Sequence, residues 1–111
     1  MKIIDPHIHL FNLEKGQYHW LKSSNPPFWD DKSTIAKNFS QQDITLTPSN
    51  SLSGFVHIEA GFNNQQPEKE IAWLESTVDI PFKSIATFDL LAPVDQNKVL
   101  LKKLSQFNSF V

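Results

Sequence analysis

Asp5, His7 and His9 occupy alternate positions in the opening stretch MKIIDPHIHL. Side chains alternate along a strand, so the three share a side wherever the extended conformation persists. At a rise of roughly 3.3 Å per residue the Cα atoms of His7 and His9 lie about 6.6 Å apart. Two imidazoles can converge from there on one cation, at about 2.0–2.1 Å for zinc. Neutral imidazole suits zinc, manganese or iron, and a catalytic metal site keeps an open position for water. Asp5 has the parity of an outer-shell partner, or of a group one layer deeper. A bare His-x-His is a weak signal. Behind an aspartate, at the C-terminal end of a first strand, it becomes a stronger one.

Two carboxylates are further candidates. Glu59 and Asp89 both fall near the C-terminal ends of predicted strands, where ligand sites of parallel sheets gather. His57 shares a face with Glu59 but lies deeper, and reads equally well as a histidine hydrogen-bonded inside the core. His19 reads as a surface or gating residue. Phe11, Tyr18, Trp20, Phe28 and Trp29 crowd one irregular stretch. The rings either cover one end of the fold or line a substrate pocket, with Trp20 as the substrate-binding candidate. No Walker loop, dinucleotide fingerprint or nucleophile elbow occurs.

The elements that must position these groups can be read from periodicity. Lys2 to Asp5 is strand-like, and Pro6 cannot donate a ladder hydrogen bond, which predicts a stop there. Phe11 to about Ser53 is a long irregular segment in which Pro26-Pro27 excludes a helix. A loop of that length is functional or disordered, and its aromatic content argues against disorder. Gly54 to Gly61 predicts a strand, with Val56 and Ile58 on one side and His57 and Glu59 on the other. Pro67 to about Val78 predicts a helix, with Glu68 and Glu70 complementing its dipole and Ile71, Leu74 and Val78 forming its apolar stripe. Lys83 to Leu91 reads as a strand presenting Thr87 and Asp89 on one face. About Asp95 to Phe107 reads as a second helix, with Asp95 as N-cap and Leu100, Leu101, Leu104 and Phe107 buried. Strands alternating with helices imply an α/β fold with parallel pairing.

Composition narrows the classes. The 111 residues allow one domain, and 40% hydrophobic with 20% charged residues is ordinary for a soluble protein. A net charge of −2 without a basic block argues against nucleic-acid and polybasic membrane partners. The absence of cysteine removes disulfides, thiolate nucleophiles and thiolate zinc sites. No run suits a signal peptide or a membrane span, which makes the cytoplasm the default location. Three glycines are few for an all-β domain and favour the mixed reading.

Three stretches carry a resemblance to a known family. Asp5-Pro6-His7-Ile8-His9 resembles an Asp-x-His-x-His at the end of strand one. Leu13 to Leu21 is similar to a segment ending in Tyr-Pro-Trp-Leu, with His19 in place of the proline. VHIEAG, residues 56–61, is similar to strand two. Together they resemble the amidohydrolase-2 branch of the amidohydrolase superfamily, metal-dependent TIM-barrel hydrolases that include sugar and dicarboxylate lactonases. The resemblance spans all of residues 1–111, but a TIM barrel takes roughly 250 residues. It therefore implies the N-terminal part of a (β/α)8 barrel: three parallel strands, two helices and a long loop after strand one.

The resemblance implies that His7 and His9 hold a divalent metal, zinc first and manganese second, although some relatives manage without a tightly bound ion. Activated water would attack a lactone or related cyclic ester, with Trp20, Glu59 and Asp89 shaping the pocket. The substrate would be a small carboxylate or a sugar lactone. The family's later histidines and its general base, an aspartate after strand eight, are expected beyond Val111. A non-oxidative decarboxylase of the same branch is the alternative reaction. The other expectation is a piece inactive by itself, which forms homo-oligomers or associates with a missing C-terminal part.

Overall fold

A computed structural model describes residues 1–111. Three strands, β1 (Lys2–Ile8), β2 (Ser51–Ile58) and β3 (Phe82–Ile85), form one parallel sheet in the order β1-β2-β3. Three helices accompany them: α1 (Lys32–Ile35), α2 (Glu68–Thr77) and α3 (Val94–Leu104). Each strand lies beside its predecessor in the chain, so the sheet winds in one direction. The residues after α3 continue the pattern: Phe110 bridges Ser84 in parallel, with Ser84 N donating to Ser109 O and Val111 N to Ser84 O. The outer edge of β1 carries no neighbouring strand.

The β2–β3 register sorts the faces. Phe55 pairs with Phe82 and His57 with Ser84, while Val56 pairs with Lys83 and Ile58 with Ile85. Phe55, His57 and Ser84 are buried; Lys83 and Ile85 are exposed. Gly54 is buried where the chain passes Pro81, and a Cβ there would meet the Pro81 carbonyl oxygen at 2.8 Å. Trp73 and Leu74 of α2 join Phe55 in the core, together with Leu10, Phe11, Tyr18, Leu21 and Phe62 from the irregular stretches. Helices α2 and α3 touch, with Lys103 Nζ 3.4 Å from Glu68 Oε1.

Several expected boundaries move. β1 runs on to Ile8, but its ladder with β2 shifts register between Asp5 and Ile8, where Pro6 offers no N–H. β2 starts at Ser51 and leaves the ladder after Ile58. β3 ends at Ile85, short of Leu91, because its partner β2 leaves the ladder after Ile58; further on, Leu91 N donates to Asp89 Oδ1 and Ala92 N to Asp89 O in a turn. The second long helix begins at Val94. Pro93 is its N-cap and Asp95 lies in the first turn, which corrects the expected cap. Leu104 is buried as expected, but Leu101 is 45% exposed, since no further element packs on that side of α3. The long segment also contains a third, one-turn helix, α1, where two helices in all were expected.

Candidate functional site

His7 ends the irregular part of β1 and His9 follows the strand. Their Nε2 atoms lie 3.0 Å apart, with ring centroids at 4.9 Å. Simple strand parity does not produce this contact, because the register shift at Pro6 interrupts the ladder before it. Two local bonds do. Asp5 Oδ1 accepts the His7 backbone N–H at 2.9 Å, fixing the turn of chain under His7. His9 Nδ1 lies 2.9 Å from the Ile58 carbonyl oxygen, which can only accept. His9 is thereby held as the tautomer protonated on Nδ1, with the Nε2 lone pair presented to His7.

The pair fits one requirement of a metal site. Nitrogens 3.0 Å apart can both lie about 2.0–2.1 Å from a shared point. A backbone carbonyl on the far nitrogen is the usual outer support of a ligating histidine. The set stops at two donors, since no group of three or more His, Cys, Asp or Glu side chains converges anywhere in the chain. Asp5 serves the His7 backbone rather than either ring.

His9 also lines a cavity of about 400 Å³ with Phe11, Trp20, Glu59, Ala60, Gly61, Asn64 and Thr87. Trp20 Nε1 donates to Ala60 O at 2.7 Å, so the indole offers the cavity its ring. Glu59 Oε2 accepts from Gly61 N at 3.0 Å and from Thr87 Oγ1 at 2.6 Å. Behind this wall the buried Glu70 carboxylate accepts the Ala60 N–H at 3.1 Å. Burial, with the Glu59 charge nearby, pushes Glu70 up to about 7 despite the Ala60 N–H bond and the nearby Phe62 backbone, which oppose it. Gly61, at φ 74, turns the chain tightly under Trp20, and a Cβ there would meet the indole at 2.8 Å. The run Glu59–Phe62 is thus the frame of the cavity: Tyr18 N donates to Gly61 O and Gln17 N to Phe62 O.

His57 lies deeper, as expected, fully buried with its ring 6.5 Å from that of His9. Neither ring nitrogen has a hydrogen-bond partner. Burial lowers its pKa to about 4; the Leu10 backbone opposes this without reaching hydrogen-bond geometry, and His9 adds to it. The hydrogen-bonded core histidine is therefore not what the chain contains. His57 is a neutral core histidine without partners.

The aromatic residues divide between the two roles considered for them. Tyr18 is core, its hydroxyl accepting the Asn12 N–H at 3.0 Å and its pKa pushed up by burial. Phe11 and Trp20 line the cavity. Trp29 stacks on Trp20 from outside, and Phe28 is exposed. Asp89 lies outside the His9 cavity, in a neighbouring groove with Gln96 and Asn97. Thr87 and Asn64, neither of them expected as site residues, line both. Thr87 carried a signal, since strand parity had placed it on the face of Asp89; Asn64, in a turn, carried none.

An alignment of 79 positions, covering 69% of the chain, is 35% identical to a Sinorhizobium fredii (strain NBRC 101917 / NGR234) protein named Uncharacterized protein y4mH. The chain matches 27% of the length of that curated relative. No family model matches the chain, and no solved structure does.

Proposed function

We propose that these 111 residues are the first portion of an amidohydrolase-2 type (β/α)8 barrel, a hydrolase acting on a lactone or related cyclic ester. The carrying observation is the convergence of the His7 and His9 Nε2 atoms at 3.0 Å, with His9 tethered to the Ile58 carbonyl. The one-directional parallel order, continued by the Phe110 bridge, supports the barrel reading. A relative of which the chain matches 27% supports a larger whole.

In this reading His7 and His9 hold a divalent metal, zinc before manganese. When bound, such an ion lowers the pKa of a coordinated water towards about 7. The chain's own residues do the rest of what it contributes. Trp20 and Phe11 exclude water from one side of the substrate. Glu59, already bonded to Thr87 and Gly61, keeps its second oxygen for a donor on the substrate. The remaining ligands and the general base come from polypeptide outside these residues, and this portion alone has no turnover.

Zinc titration followed by the imidazole proton signals tests the metal reading. His7 and His9 should shift together while His57 stays in place, and His7→Ala or His9→Ala should weaken binding at least about tenfold. Unmoved His7 and His9 signals at millimolar zinc would sink it.

A further inference from the structure

Lys32 is an ammonium held inside the protein without a counter-charge. The residue is 5% exposed. Its Nζ donates to three main-chain carbonyls, those of Lys22 at 2.8 Å, Asn25 at 2.6 Å and Pro27 at 3.0 Å. A protonated lysine has three N–H donors and no acceptor, so these carbonyls use its whole capacity. Asp30 and Asp31, close in sequence, do not pair with it; the chain's one ion pair is Lys103–Glu68. The ammonium also lies 5.8 Å and 5.5 Å from the ring centroids of Phe28 and Trp29, within cation–π range.

The three carbonyls come from a stretch with no ladder, residues 22–27. Carbonyls converging there repel one another unless a cation lies between them, and Lys32 is that cation. The stretch leads to Trp29, which stacks on Trp20 at 6.3 Å and 24°. Trp20 in turn is bonded to Ala60 and faces the His9 cavity.

We propose that Lys32 is the positioning residue of the cavity's aromatic wall: its ammonium gathers residues 22–29, seats Trp29 on Trp20 and so fixes the indole beside His9 and Glu59. The use of that cavity by a substrate rests on the reading above; the positioning does not.

Stacked indoles couple their transitions, so Trp20 and Trp29 give a circular-dichroism couplet that Trp29→Phe abolishes. Lys32→Ala should lose most of this couplet while keeping the α/β far-ultraviolet signal. Methylammonium, which restores the N–H donors, should recover it; tetramethylammonium, with the charge but no donors, should not. Lys32→Met fills the stem's volume without the ammonium and should lose the couplet as well. A folded Lys32→Met or Lys32→Ala that keeps the full couplet overturns the proposal, as does equal recovery with both cations. If Lys32→Ala is unfolded, refolding by methylammonium alone supports the proposal and a folded Lys32→Met decides it by its couplet. These readouts need neither metal nor turnover, so failure of the hydrolase reading would leave their result standing.

Discussion

His57 and Glu70 are displaced in opposite directions by one cause, the loss of water around an ionisable group. His57 falls to about 4 and Glu70 rises to about 7. Between pH 4 and 6.5 the unfolded chain binds more protons at His57 than the folded one, so this group makes stability rise with pH. Between pH 4.5 and 7 the folded chain binds more at Glu70, so this group makes stability fall. Each effect amounts to about 3 kcal/mol at most, and the two largely cancel in the native chain. Glu70→Gln removes the falling term, and denaturant midpoints of that variant should climb from pH 4 to 6.5. His57→Phe removes the rising one, and its midpoints should drop from pH 4.5 to 7. Parallel pH profiles for the two variants would refute these assignments. His7 and His9 were legible in the sequence as a pair, but what joins them was not. Their contact depends on the Ile58 carbonyl, 49 residues away along the chain.

Among the elements, the turn from Glu59 to Phe62 concentrates the most bonds on the fewest residues. It receives Glu70, Trp20, Tyr18, Gln17 and Thr87 within four positions. Gly61→Ala adds a Cβ at positive φ and at 2.8 Å from the Trp20 indole. It should cost about 1–3 kcal/mol of stability in denaturant melts and displace Trp20, shifting its fluorescence. A melt within error of the native one would show that the turn adapts freely. Leu74 is fully buried between α2 and the sheet, and Leu74→Ala should cost about 2–5 kcal/mol, lowering the thermal midpoint or abolishing a cooperative transition. Ile71 and Leu74 were readable from helical spacing because burial on a helix repeats with its turn. The end of β3 and the start of α3 were not, because β3 stops where its partner strand leaves the ladder and α3 starts at Pro93 without a side-chain cap, neither of which periodicity encodes.

At the scale of the whole molecule the chain is a slab, 48 × 36 × 21 Å. Its radius of gyration of 15.2 Å exceeds the roughly 13 Å of a compact domain of this length. Its accessible surface of 7434 Å² exceeds the expected value of about 6,200 Å² by more than the roughly 800 Å² one partner contributes to a standard interface. One apolar flank is continuous: Ile85, Leu101 and Val111 border a groove completed by Ala86, Phe88, Leu104 and Phe110. An open parallel sheet with such a flank invites pairing. Light scattering at micromolar concentration should find species larger than the monomer, and Ile85→Lys with Leu101→Lys should shift them towards it. A native chain that stays monomeric would contradict this. No helix is long and apolar enough to cross a membrane.

By itself the sequence determined the alternation of strands and helices, the apolar stripe of α2 and the histidine pair at the end of the first strand. Each is a local pattern, set by residues a few positions apart. Only the tertiary structure decided which groups meet. It brought His9, Trp20, Glu59 and Thr87 to one cavity, left Asp89 in the next groove, and gave Lys32 three carbonyls in place of a carboxylate. Those outcomes depend on contacts between distant segments, which no local spacing specifies.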